Sequence, residues 1–198
     1  MASNLLTHGV GAGPGPITLL YDTFTGTNNT LLTTHTMDVG PGWTAVVNNW
    51  KISTNQAVPN SSGNECLDVA DSGQSNVTAA VDSDFTNVGS NTDACLIIRY
   101  QDSSNYWLLQ LIAASNVLKL YEKGSGSFVL RGSTSYTVSI NTTYTLEIVA
   151  SGNNFTCYVN GVSELTYTGS DFNTATKCGI RSFYSINMNL DNFKVTNP

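Results

Sequence analysis

The chain is short of charge. Only 11% of its residues are Asp, Glu, Lys or Arg, under half of the roughly 25% usual in globular proteins. Its surface must therefore be built largely from Thr, Ser, Asn and Gly. Basic residues are the scarcer sign, 8 against 14 acidic ones for a net charge of -6, and they never form a run. That argues against a phosphate-tracking groove for nucleic acid and against a polybasic patch for a membrane surface. No stretch approaches the ~18 apolar residues of a membrane-spanning helix. Histidine is confined to His8 and His35, which leaves a serine or cysteine nucleophile with little choice of base. No glycine-rich loop runs into Lys-Ser or Lys-Thr, so nucleotide chemistry has no support either.

What is present is aromatic and strand-forming. The 198 residues include 3 Trp, 9 Tyr and 7 Phe, enough to build a core and to argue against disorder. Residues 1–18 read as a flexible tether, because His8 to Pro16 alternates Gly with Pro and packs as neither helix nor strand. The same segment lacks the basic region and continuous apolar core of a signal peptide. Residues 19–198 read as a single domain. Cys66, Cys95, Cys157 and Cys178 are widely spaced with no CxxC, which speaks against a four-cysteine zinc site. They are expected either as buried thiols or as a bridge between Cys157 and Cys178, which lie on neighbouring late segments.

Short strands bounded by turn formers follow one another. Cys95–Tyr100, Tyr106–Ile112, Asn116–Lys123 and Phe128–Arg131 form a meander. Thr143–Ala150 alternates with period two and puts Tyr144, Leu146 and Ile148 on one face. Asn160-Gly161 is a hairpin signal, since both residues tolerate positive φ. Leu19–Phe24, Trp43–Val47, Trp50–Ile52 and Asn76–Val81 supply further strands, for about a dozen in all. One phrase occurs near both ends, Tyr21-Asp22-Thr23-Phe24 and Leu190-Asp191-Asn192-Phe193. It suggests a sandwich closed by bringing its first and last strands together. The fold class expected is all-β, a two-sheet antiparallel jelly-roll sandwich.

The order of these pieces resembles the concanavalin A-like lectin and glucanase superfamily, in particular the laminin G-like jelly rolls of phage and bacterial surface proteins. The residues that carry it are Asp22-Thr23-Phe24, Trp43, Trp50-Lys51-Ile52, Ile98 to Asp102, Asn105-Tyr106-Trp107, Thr143 to Leu146, Tyr158 to Gly161 and Asp191-Asn192-Phe193. The resemblance covers residues 19 to 196. It implies a fold shared by glucanases, lectins, adhesion modules and structural domains, and so no single function. The glucanases of that superfamily carry Glu-x-Asp-x-Glu or a close variant on one strand. Here Glu65, Glu122, Glu147 and Glu164 stand singly, so the paired carboxylates of glycoside hydrolysis are not expected.

Two kinds of site remain. Calcium would suit Asp22 and Asp191 at the paired ends, or Asp82 and Asp84, with Asp68 and Asp71 as another pair. The alternative for all of them is turn capping. A glycan would stack on exposed rings. Tyr106 and Trp107 are adjacent on a strand and point to opposite faces, so one belongs to the core. Tyr100 and Tyr121 join whichever is exposed. The expected function is a non-enzymatic virion surface or decoration protein, phage-like, working through protein contacts. The alternative is a carbohydrate-binding or adhesion module for a cell-surface glycan, with calcium as the one cofactor in view. Either would act at a virion surface or outside a cell. Low charge leaves little repulsion against a homo-oligomer.

Overall fold

The computed structural model describes residues 15–61, 63–89, 92–183 and 186–198. Among the described residues fifteen strands, all paired antiparallel, make two sheets. The order of the first is β13 (Val162–Thr168), β12 (Asn154–Val159), β11 (Thr143–Ser151), β6 (Val77–Phe85), β15 (Met188–Thr196), β4 (Gln56–Pro59) and β3 (Trp50–Ser53), with β1 (Thr18–Asp22) also on β15. The order of the second is β10 (Ser127–Ser135), β9 (Val117–Gly124), β8 (Asn105–Ile112), β7 (Asp93–Asp102), β14 (Lys177–Ser182), β5 (Cys66–Asp71) and β2 (Thr44–Val47). Single 3-10 turns at Leu32–Thr34 and Ala113–Ser115 are the helical elements among the described residues. None is long or apolar enough to cross a membrane.

The core fills the space between the sheets. Every second residue of β6 is buried, as the pleat requires of a strand with one wet face. On β11, Tyr144, Leu146, Ile148 and Ala150 point the same way. Trp107 of β8 crosses to Phe155 of β12 at 4.4 Å between ring centroids, and its indole N–H donates to the carbonyl of Asp171 at 2.9 Å. Trp107 is therefore the core member of the Tyr106-Trp107 pair. Asn160 and Gly161 turn β12 into β13 with φ of 52° and 76°, the left-handed pair that matches strand twist.

The repeated phrase closes the sandwich. β1 lies against β15 with Asp22 opposite Phe193. Phe24 and Phe193 both pack on Trp43, at 6.0 and 4.9 Å. The two aspartates then part company. Asp22 is fully buried, while Asp191 alternates outward after Met188 and Leu190, and a register shift between Asp191 and Lys194, with Asn192 at φ 49°, brings Phe193 back inside. An extra residue in one strand shifts the alternation by one position, so the two similar phrases share an inward Phe and differ in the direction of their Asp.

All four cysteines are free and buried. Cys157 stands on β12 of the first sheet and Cys178 on β14 of the second, so the bridge expected between them is not formed. Burial pushes both thiols up to about 12, which leaves essentially no thiolate to react.

The second sheet is buried on both faces over much of its width. Leu67, Val69, Cys95, Ile97, Tyr100, Tyr106 and Leu108 form an outer cluster apart from the core. Gly179 sits in its middle, where a Cβ would run into the backbone carbonyl of Asp68 and the side chain of Val69. Gly179→Ala is expected to cost about 2–3 kcal/mol through overpacking, read as a lowered urea midpoint. An unchanged midpoint would mean that β14 and β5 slide apart freely.

Candidate carbohydrate-binding face

Strand register lays out the outer face of the second sheet in three rows. Arg181, Cys95, Gln110 and Lys119 form one, passing from β14 through β7 and β8 to β9. Gly179, Ile97, Leu108, Tyr121 and Leu130 form the next. In the third, Lys177 opposes Tyr100, and Tyr106 opposes Lys123, which opposes Phe128. The stack of Tyr100 on Tyr106, 5.7 Å between centroids, joins the halves of that row. Tyr100 reaches this face because β7 carries an extra residue at Arg99, where φ is 48°.

A cleft of about 180 Å³ opens here, lined by Leu108, Gln110, Tyr121, Phe128 and Phe183. Its walls are aromatic. Phe128 meets Tyr121 at 5.9 Å and Phe183 at 5.8 Å, both edge-on. Such tilted pairs are favourable and leave ring faces turned in different directions. Gln110 donates through Nε2 to Asp93 at 2.6 Å, which leaves its carbonyl oxygen as the acceptor. Asp93 also accepts from the backbone N–H of Phe183 at 2.9 Å, so a single buried carboxylate positions two residues of the cleft. Burial raises the Asp93 carboxyl to about 6, against the pull of these donors.

Arg181 lies beneath, 1% exposed. Its Nη1 donates to the Tyr106 hydroxyl at 2.6 Å, and its guanidinium sits 3.4 Å from the centroid of Phe183 and 5.0 Å from that of Phe128. Nε is 2.9 Å from Glu65 Oε1, yet its N–H misses the oxygen. The contact is an ion pair rather than a hydrogen bond. Sequence reasoning did not single out Arg181, Gln110, Phe128 or Phe183. The one available signal was strand parity, which places Arg181 and Phe183 on the same side as Gly179.

Of the four aromatics singled out from sequence, Tyr100, Tyr106 and Tyr121 come together on this face and Trp107 does not. Tyr106 is fully buried and Tyr100 is 7% exposed, so Tyr121 is the ring of the three that lines the cleft.

The aspartates lie elsewhere. Asp22 accepts from the Trp43 indole at 2.7 Å, the His35 ring at 2.9 Å and the backbone N–H of Phe24 at 2.8 Å. His35 thus belongs to a buried network rather than to the surface. Asp82, Asp84 and Asp191 share the outer face of the first sheet. Asp82 takes bonds from Thr145 at 2.5 Å and Asn192 at 3.0 Å. Asp84 takes them from Thr143 at 2.7 Å and Gln56 at 3.3 Å. Asp191 accepts from the backbone N–H of Asn192 at 2.7 Å. Each of these carboxylates accepts at least one protein donor, and among the described residues no group of three or more His, Cys, Asp or Glu is placed to hold a metal ion. Asp68 and Asp71 also diverge, Asp68 into the sandwich and Asp71 to the surface.

Comparison by sequence finds no family and no curated protein that matches this chain. Comparison by structure finds many matches to the fold. A carbohydrate-binding module from Bacillus subtilis, CBM66, superposes with a TM-score of 0.66 at 16% identity, covering 78% of this chain and 95% of that one. Domain 4 of AbnA, an extracellular arabinanase of Geobacillus stearothermophilus solved with arabinotriose, gives 0.61 at 11% identity over 92% and 93%. A Bacillus subtilis protein of unknown function with a galectin-like fold gives 0.61 at 12% identity over 90% and 98%. The chain is an all-β jelly-roll sandwich of concanavalin A-like topology, related in fold to galectin-like proteins and carbohydrate-binding modules.

Proposed function

We propose that this protein is a non-catalytic carbohydrate-binding module whose sugar docks in the cleft of Tyr121, Phe128, Phe183, Leu108 and Gln110. The observation that carries the reading is an aromatic-walled cleft with one oriented amide, held in place by a buried carboxylate. Sugar rings offer an apolar C–H face and a rim of hydroxyls. Rings and Leu108 suit the first, and the Gln110 carbonyl oxygen suits the second. The fold adds support, because structures described as carbohydrate-binding or solved with an oligosaccharide share it, although fold alone assigns no ligand. The virion reading rests on low charge, a Thr-, Asn- and Ser-rich surface, the lack of a signal peptide or catalytic cluster in the sequence, and the small jelly roll itself. No feature of the geometry among the described residues favours it over a sugar.

A glycan array, run with calcium and again with EDTA, tests the proposal. The expected result is binding to a related set of sugars that is the same in both conditions. Tyr121→Ala is expected to weaken it at least about tenfold, as truncation of a buried aromatic anchor does, with the thermal midpoint nearly unchanged. A folded protein that is silent on the array would overturn the reading. Loss of binding in EDTA would move the site to the aspartates.

A further inference from the structure

The two outer faces of this acidic protein differ in their balance of charge. The first sheet turns Asp82, Asp84, Asp191 and Glu147 outward on β6, β15 and β11, beside Lys51 and Lys194 on β3 and β15. The second turns out Lys119, Lys123, Lys177 and Arg181, half of the 8 basic residues in the chain. The carboxylates near those cations already have protein partners, Asp102 among them, which accepts from Ser104 at 2.8 Å and Asn105 at 2.9 Å and also acts on Lys123. Glu65 pairs with Arg181. Asp71 accepts from Thr176 at 2.7 Å and Gly73 at 2.9 Å. Asp93 is buried under Gln110.

Of the three cations of this face in no ion pair among the described residues, Lys119, Lys123 and Lys177, the first two flank the cleft. They lie on either side of Tyr121 on one strand, opposite Gln110 and Tyr106. Four residues of strand put them about 13 Å apart along β9, so they bracket the cleft. Neither is in an ion pair among the described residues. The ammonium of Lys123 donates to the Ser103 carbonyl at 2.8 Å, which leaves two of its three N–H groups. Lys119 has one described contact, the Tyr121 ring at 5.9 Å. Burial, and then the charge of Arg181, hold the Lys123 pKa below its ordinary value, against the opposing pull of Glu65 and Asp102. An anion at this spot would offset the repulsion from Arg181.

We propose that the ligand is an anionic sugar, a single ring whose carboxylate or sulfate meets Lys119 or Lys123 while its C–H face lies on the aromatic wall. The inference rests on the carbohydrate-binding reading and adds the charge of the ligand. The cleft has room for one ring, which favours a chain end or a branch over the middle of a polymer.

Calorimetric titration of the full chain with methyl glucuronide, methyl galacturonide, a sulfated methyl galactoside and their neutral methyl glycosides decides it. An anionic glycoside is expected to bind at least about tenfold tighter than its neutral parent, about 1.4 kcal/mol. The advantage should shrink as salt rises to about 0.5 M. It should vanish in the Lys119→Met, Lys123→Met double variant, which keeps the apolar stems, and persist in Lys51→Met on the other sheet. Preference for a uronide or for a sulfated sugar supports the proposal and names the anion. Equal binding of neutral and charged glycosides overturns the inference and leaves the carbohydrate reading standing. No binding of any of them overturns both.

Discussion

Arg181→Met should unfold at a clearly lower urea concentration than the parent, with a loss of about 3 kcal/mol at neutral pH. The size follows from what the side chain touches. Removing one partner of a buried ion pair costs about 3–5 kcal/mol, because the other partner is left desolvated. The low end applies because the Glu65 side chain keeps 24% of its exposure, so water repays part of the loss. The Tyr106 hydroxyl, on a fully buried residue, loses its described donor at 2.6 Å, and Phe183 loses the guanidinium stacked at 3.4 Å. Lysine would not rescue the site, since a point ammonium cannot stack and reach two partners as a planar fork does. The companion variant Arg181→Met, Glu65→Gln separates the causes. If the stranded carboxylate dominates, it recovers much of the lost stability. If packing of Tyr106, Phe128 and Phe183 dominates, it recovers little. A loss below about 1 kcal/mol for the single variant would show that Arg181 supports neither the sheet nor the cleft.

The fold was legible wherever a strand had one dry face and one wet one. β11 alternates in the sequence and in the structure, with Tyr144, Leu146 and Ile148 inward as expected. The Asn160-Gly161 turn and the β7 to β10 meander were readable from local residues alone. Legibility failed on the second sheet for a physical reason. β5, Cys66–Asp71, is buried on five consecutive residues, so its period-two signal is erased, and its two aspartates read as a candidate pair of ligands or turn caps. The bulges at Arg99 and Asn192 did further damage. Each moves the following side chains to the other face, so that Phe193 turns inward after an outward Asp191, whereas Asp22 and Phe24 both point inward. The candidate site was half legible. Tyr121 and its neighbours sit on one face because the meander pairs in simple register. Phe183, Arg181 and Asp93 come from segments far away in sequence, and no local pattern joins them.

Asp68 carries the other large effect, and its sign is opposite to that of most carboxylates. It is fully buried in the sandwich, where Oδ2 accepts from the Trp50 backbone N–H at 3.3 Å and Oδ1 has no protein partner. Desolvation outweighs that bond and raises its pKa to about 7, from about 3.9 in an unfolded chain. Below about pH 4 the group is neutral in both states and costs nothing. Between about pH 4 and 7 the unfolded chain ionises while the folded one holds its proton, so stability falls as pH rises. Above about pH 7 both are charged and the loss levels off. A shift of this size corresponds to about 4 kcal/mol. Asp93, raised to about 6 by burial, slopes the same way over a narrower window. The variant Asp68→Asn isolates the contribution, since an amide oxygen still accepts from Trp50 and no charge is buried. Its unfolding free energy should match that of the parent near pH 4 and exceed it by several kcal/mol near pH 8. Parallel profiles for the two proteins across that range would mean that Asp68 is ionised throughout and that an unseen donor holds its charge in the core.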